Sequence, residues 1–466
     1  MRIFALASSL AIASTLVAVL ETDAHACGGC FSPPTETDSV VTDHRMILTV
    51  SAQQTTLYDQ IHYTGKPSSF AWVLPINGQA KVALSADVVF SALDALTTTQ
   101  VQQPPTRCPS PPSDCFRNSP SSAGASADGG TAFGGDNGGV NIIKEEVVGP
   151  YETVQLSATT PQALESWLSS HGYNVAADAK AIIDAYQNEH FDFLAMKLVP
   201  GAGVASMRPV RVTTPGGSPV LPLRMVTAGT GATVGITLWV IGEGRYEPQN
   251  FPSFKLTSED LVWDWASSSS NYKQLRAQKS DGKTWEIESS MTISPDQVKN
   301  RILYPFSGGG FGGGLPSVDA GSDYLPVTTP DGGVTEPSDQ VRDEDIATLF
   351  AGVAASRTRI TRIRADLAHA NLNADLDLQA AADQTELRAL RVPTQEAGQP
   401  TCTIYNGCDV VGQGPRDQAV AASSNGGKES FACNTGSSTG HGGQMTLFAL
   451  AGFFVFAWGR SRKKNS

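Results

Sequence analysis

Charge is scarce in this chain, and positive charge scarcest. Of its 466 residues only 17% are Asp, Glu, Lys or Arg, with 33 basic residues against 45 acidic and a net charge of −12. No basic stripe is available to displace phosphate counterions, which argues against a nucleic-acid partner. Histidine is sparse too. Seven are present, none in an H-E-x-x-H arrangement and no two spaced to meet on one helix face, so the commonest zinc-hydrolase pattern is missing. The glycine fingerprint of dinucleotide folds occurs only at Gly308, Gly310 and Gly313, inside a run of glycines and without the strand and helix that would hold a pyrophosphate. A G-x-S-x-G match at Gly436, Ser438 and Gly440 has no strand before it. No cofactor, resident metal or catalytic constellation is therefore expected from the motifs.

What is present is concentrated at the ends. The chain opens with Met1-Arg2, an almost unbroken apolar stretch from Ile3 to Leu20, and the small-residue site Ala24-His25-Ala26. This pattern predicts a secretory signal peptide over residues 1–26, cleaved between Ala26 and Cys27. Ala24 stands where a lipoprotein signal would carry an aliphatic residue, so ordinary cleavage is favoured over lipid attachment at Cys27. At the other end, Met445–Trp458 is a fourteen-residue apolar run closed by Arg460, Arg462, Lys463 and Lys464. Basic residues next to an apolar run hold that end at the membrane with the charges inside. Fourteen residues fall short of the roughly 20 that cross a bilayer comfortably, which suits a retention signal better than a permanent anchor.

Export makes the seven cysteines candidates for disulfides. They fall as three couples, Cys27 with Cys30, Cys108 with Cys115 and Cys402 with Cys408, plus Cys433 alone. Local bridges within the couples are the simplest connectivity, and a structural zinc held by Cys27-x-x-Cys30 with another couple is the competing one.

Between the ends, Met46, Leu48 and Val50 alternate, Ser51–Gln54 turns the chain, Leu57, Ile61 and Tyr63 follow, and Phe70–Pro75 supplies a third apolar run. Such spacing predicts an antiparallel meander. Helices are expected at 88–96, from Thr160-Pro161 to Leu168, at 178–189, 256–265 and 272–278. Strands are expected at 140–148, 151–156, 191–199, 208–213, 221–227, 233–241 and 285–291, with a hairpin turn at Pro215–Ser218. The sum is an α+β fold, mainly antiparallel, with a helical pair inserted between strands. The expected organisation is an α+β domain over 27–304 with a Pro/Ser/Gly-rich disordered insertion at 104–139, a Gly-rich linker at 305–340, a helical segment at 341–392, a flexible linker at 393–444 and the apolar, basic tail at 445–466.

Cys27-Gly-Gly-Cys30-Phe31, Phe70-Ala-Trp72-Val-Leu-Pro75 and Val148-Gly-Pro-Tyr151-Glu152-Thr153 together resemble the DUF2330 family, an exported bacterial domain of unknown function. Trp167-Leu168-x-x-His171-Gly172-Tyr173, Phe193-x-Ala195-x-Lys197-Leu198, Pro209-Val210-Arg211, Leu221–Arg224 and Leu238-Trp239-Val240 extend the resemblance. These are strand and turn residues, so the resemblance implies a fold and carries over no activity. The tail resembles a myxobacterial C-terminal sorting signal, which implies processing or lipidation at Cys433, although its spacer from Asn434 to Gln444 is longer and more polar than that pattern.

The remaining polar candidates have bland readings. His44 and His62 fall on opposite faces of their strands, and His190 beside Glu189 suits a helix C-terminus. Asn371, Asn373, Asp375 and Asp377 alternate as in a calcium loop, but Leu376 replaces the turn glycine and no Glu closes it. Trp72, Trp239, Trp263, Trp265 and Trp285, with Tyr63 and Tyr151, fit a core better than an exposed platform. The functional expectation is an exported, membrane-anchored or surface-displayed envelope protein. Its role would be structural or ligand-binding, with an envelope glycan or protein as partner. The alternative is an envelope-polymer hydrolase or peptidase.

Overall fold

The computed structural model describes residues 30–31, 40–64, 71–111, 146–157, 163–173, 175–199, 207–304, 323–324, 327–328 and 334–425. The signal segment, Cys115, the Gly-rich stretch at 305–322, Cys433 and the apolar tail lie outside them. Two compact units emerge, one from residues 1–106 with 121–400 and one from 107–120 with 401–466.

In the larger unit the main elements are β1 (Val40–Val50), β2 (Gln54–Thr64), β3 (Ala71–Ile76), β4 (Lys81–Leu84) and α1 (Asp87–Thr97). Then come β5 (Tyr151–Leu156), the helical pair α2 (Ala163–Ser170) and α3 (Ala177–Asn188), β6 (Asp192–Leu198), β7 (Val210–Pro215) and β8 (Thr230–Glu243). The unit closes with α4 (Tyr272–Lys279), β9 (Trp285–Thr292), α5 (Pro295–Leu303), α6 (Ser338–Leu349) and β10 (Thr358–Ala368).

One sheet runs Ser253–Phe254, β9, β10, β8, β1, β2, β7, β4, and the other Cys30–Phe31, β3, β6, β5, Glu146–Val148. Most neighbours are antiparallel; β8 with β1 is a parallel pair. Alternation along each strand sorts side chains into layers. Met46, Leu48, Leu57, Val212, Leu238 and Val240 face Trp72, Leu74, Leu194 and Met196 across the space between the sheets. The opposite face of the large sheet, with Ile47, Tyr58, Trp239 and Ile360, is covered by Phe90 and Leu93 of α1, Val298 and Ile302 of α5, and Ile346 and Leu349 of α6. Ala71, Val73, Phe193 and Ala195 on the outer face of the small sheet meet Leu164 and Leu168 of α2 and Ile183 and Tyr186 of α3. The unit is thus helix, sheet, sheet, helix, an α+β fold. Each large side chain so buried contributes about 1.5–3 kcal/mol.

Local signals explain several elements. Ser294 caps α5 in a reciprocal capping box with Gln297, and Pro295 sits at the first turn. Gly172 at φ +84° ends α2, as its sequence context suggested. Trp239, fully buried, donates from Nε1 to Thr97 Oγ1 at 2.8 Å, with the Arg45 and Arg362 guanidinium carbons 5.3 and 5.2 Å from its ring.

Several expectations need correction. The meander breaks after two strands, because β3 crosses into the small sheet. Pro215–Ser218 is no hairpin turn: β7 pairs with β2 and β4, whereas Val220–Leu221 pairs with Leu376–Ala380. The close approach there is real, since a Cβ at Gly217 would meet the Ser51 carbonyl oxygen at 2.6 Å. Residues 223–226 are a short helix, and 256–265 contain the strand Val262–Asp264 in place of a helix. The expected helical segment at 341–392 is α-helical only through Leu349, with one 3-10 turn at His369–Asn371; Gly352, at φ +76°, turns the chain towards β10, which sits inside the large sheet. The linker at 393–444 is structured as far as Asn425.

That structured part includes the smaller unit, with β11 (Thr401–Asn406), β12 (Asp409–Pro415) and α7 (Arg416–Asn425). Cys402, Ile404 and Ala419 form its small core, and Cys402 is bonded to Cys108 across 294 residues of sequence. The local couples are thereby corrected for both Cys108 and Cys402. Cys408 is also disulfide-bonded.

Candidate functional site

The hairpin β1–β2 builds the site. Its turn is closed by Ser51 N–H to Gln54 O at 3.0 Å, which sets Met46 opposite Asp59 and His44 opposite Ile61. His44 and Asp59 are therefore diagonal neighbours on the face that looks into the space between the sheets. His44 Nδ1 lies 3.2 Å from Asp59 Oδ1, the two residues being 1% and 3% exposed. His44 Nε2 is buried with no partner among the described residues. His62, opposite Asp43, is on the other face of β2, as its spacing required, yet it still lines the larger cavity described next.

Asp59 is shared by two cavities. The larger, about 300 Å³, has an apolar wall of Ile61, Trp72, Met196, Met207 and Val210 and a polar one of Asp59, Gln60, His62, Asp87 and Arg208. The smaller, about 20 Å³, is lined by His44, Asp59 and Trp72 among apolar neighbours such as Met46 and Met225. That space suits one water molecule, and the larger one lies at the lower end of the range for small-ligand sites. Tyr151 fixes one wall: its hydroxyl donates to Arg208 O at 2.7 Å and accepts from Arg208 N–H at 2.8 Å. Gln60 donates to the Asp87 carboxylate, and Arg208 lies 3.6 Å from Asp323.

A profile described as an uncharacterized protein conserved in bacteria, DUF2330, matches residues 22–302. The chain belongs to the DUF2330 family. No curated protein matches it. Among solved structures it is similar to the crystal structure of baculovirus P35 at 13% identity and a TM-score of 0.23, over 45% of this chain and 66% of that one, too low a score to argue from. In this DUF2330 chain several of the stretches that carried the family resemblance contribute to the two cavities, through Trp72 and Leu74, Tyr151, Met196, Pro209 and Val210, and Leu221 and Pro222.

The other sequence candidates do not gather here. Ala26, Cys27, Cys115 and Cys433 lie outside the described residues, and Cys30 is placed by backbone alone, paired with Trp72. No group of three or more His, Cys, Asp or Glu among the described residues is arranged to hold a metal ion. In the calcium-like stretch, Asn371 donates to Gly282 O, while Asp375 accepts from Tyr186 and binds Arg224 at 2.7 Å. His190 caps its helix at φ +67°, and Glu189 is gripped by Arg224 with both contacts at 2.6 Å, which holds its carboxyl below the usual range. Trp72, Trp239, Trp263, Trp285 and Tyr151 are buried, in keeping with core roles. The His44–Asp59 pair was missed although its signal was present: once the turn at Ser51–Gln54 is accepted, the pairing register follows.

Proposed function

We propose that this protein is exported, held in the cell envelope by its C-terminal segment, and binds a small amphipathic molecule in the cavity between its sheets. The observation that supports this is Asp59, a buried carboxylate oriented by an equally buried His44 and opening onto an apolar-walled space. A carboxylate so placed accepts from a donor head group, an ammonium or a hydroxyl, while Trp72, Met196 and Met207 receive the apolar body. Asp59 and Asp87 outnumber Arg208 in that wall, and Arg208 already lies 3.6 Å from Asp323, so the polar end favours a cation over an anion. Hexylamine, hexanol and hexanoate serve as probes in a thermal-shift titration of wild type and D59N. Hexylamine is expected to raise the Tm of wild type most and hexanoate least, and D59N to abolish the hexylamine effect. Equal shifts in D59N, or none with any probe, would remove the reading and leave the pair as part of the core. For export and anchoring, intact mass of the native protein decides: a chain starting at Met1 and recovered from the soluble cell interior would refute both.

A further inference from the structure

The helix-facing side of β9 and β10 carries charge where a core would be apolar. Trp285 and Ile287 point into the space between the sheets, which leaves Glu286 and Glu288 to the other face. Ile363, Ala365 and Leu367 of β10 do the same and leave Arg362, Arg364 and Asp366. The acids in this layer are already matched. Arg362 binds Glu288 and Asp94, and Arg276 of α4 lies 3.0 Å from both Glu286 and Asp366. Tyr272 also donates to Glu286 at 3.0 Å. Two cations are left over. Arg364 is half-buried opposite Glu286 in register, and Lys273 is exposed on α4; neither has an ion-pair or hydrogen-bond partner among the described residues.

Both cations line a cavity of about 910 Å³, three times the volume of the one at Asp59 and sharing no lining residue with it. Hydroxyls stud its walls at Thr98, Thr99, Ser269, Ser270 and Ser280. A half-buried guanidinium without a counter-ion beside a ring of hydroxyls is suited to an anionic group on a polyhydroxylated body. We infer that this cavity is a second binding site, for a sugar-sized anion bearing a carboxylate or a phosphate, with Arg364 and Lys273 holding the anionic group.

The test is isothermal titration of the detergent-solubilised full chain with glucuronate, glucose 6-phosphate and glucose. Either acid, or both, is expected to bind and glucose not; which acid binds tighter names the anion. A charge-assisted contact of about 1.5–3 kcal/mol translates into a loss of roughly 10- to 100-fold in R364Q, and the exposed K273Q is expected to lose about threefold. D59N should bind both acids as wild type does, which separates this site from the one between the sheets. Absence of acid binding, equal binding of glucose, or unchanged affinity in a folded R364Q would each overturn the inference.

Discussion

Removing the carboxylate of Asp345 should be among the most damaging single changes in the large unit. The residue is 1% exposed on α6 and reaches the sheet through Arg211, 3.0 Å away and 5% exposed. Its other oxygen accepts from Ser85 Oγ at 2.6 Å and Tyr324 OH at 3.1 Å, both buried. D345A strands the Arg211 guanidinium, and breaking one side of a buried pair costs about 3–5 kcal/mol. Glu344, 2.8 Å from Arg211 but 46% exposed, stays behind, so the lower figure of about 3 applies. The orphaned hydroxyls add about 1 kcal/mol, for a total of about 4. With a urea slope of about 3 kcal/mol/M, the midpoint followed by tryptophan fluorescence should fall by about 1.3 M. D345N, which keeps an acceptor for the two hydroxyls, should lose about half as much, and E344Q less than about 1 kcal/mol. If D345A shifted the midpoint no more than E344Q, the buried pair would not be what fastens α6 to the sheet.

Two further outcomes follow from the charged layer and the small unit. Burial, then Glu288, pushes the Glu286 carboxyl above its usual value, so between the unfolded value near 4.3 and the raised one the folded state keeps a proton that the unfolded chain releases. Stability from this group is therefore greatest at the acid end of that window and falls as pH rises through it; midpoints from pH 4 to 7 should slope less in E286Q than in wild type, and identical slopes would exclude Glu286 as the source. Reduction of Cys108–Cys402, or C108S, should speed tryptic cleavage at Arg416 without altering the melting of the large unit, and an unchanged cleavage rate would show that the bridge does not hold β11, β12 and α7 together.

Much of the scaffold was legible because alternation and turn chemistry act locally. Met46, Leu48 and Val50 announced β1, and Ala177–Asn188 and Asp87–Thr97 are helices within a residue or two of their expected limits. Where the reading failed, the decisive partner was remote. Ile360, Ile363 and Leu367 suit a helix or a strand, and the arginines between them look solvated until Glu288 and Asp94 come up to neutralise Arg362. Trp72 and Leu74 gave a strand but not a sheet, since the choice of sheet depends on pairing with β6, more than a hundred residues away. The Asp59 cavity needs both sheets, so only its hairpin could be read from the chain.

The position of β10 sets an order of events on the ribosome. It pairs with β8 on one side and β9 on the other, so the large sheet is split until Ala368 has been made, 66 residues after the family match ends at residue 302. At about 5–20 residues per second, that leaves roughly 3–13 s in which β8 and β9 each present an open edge. Such edges invite pairing with other chains. A fragment cut at the family boundary would keep that vulnerability permanently, whereas the intact chain outgrows it.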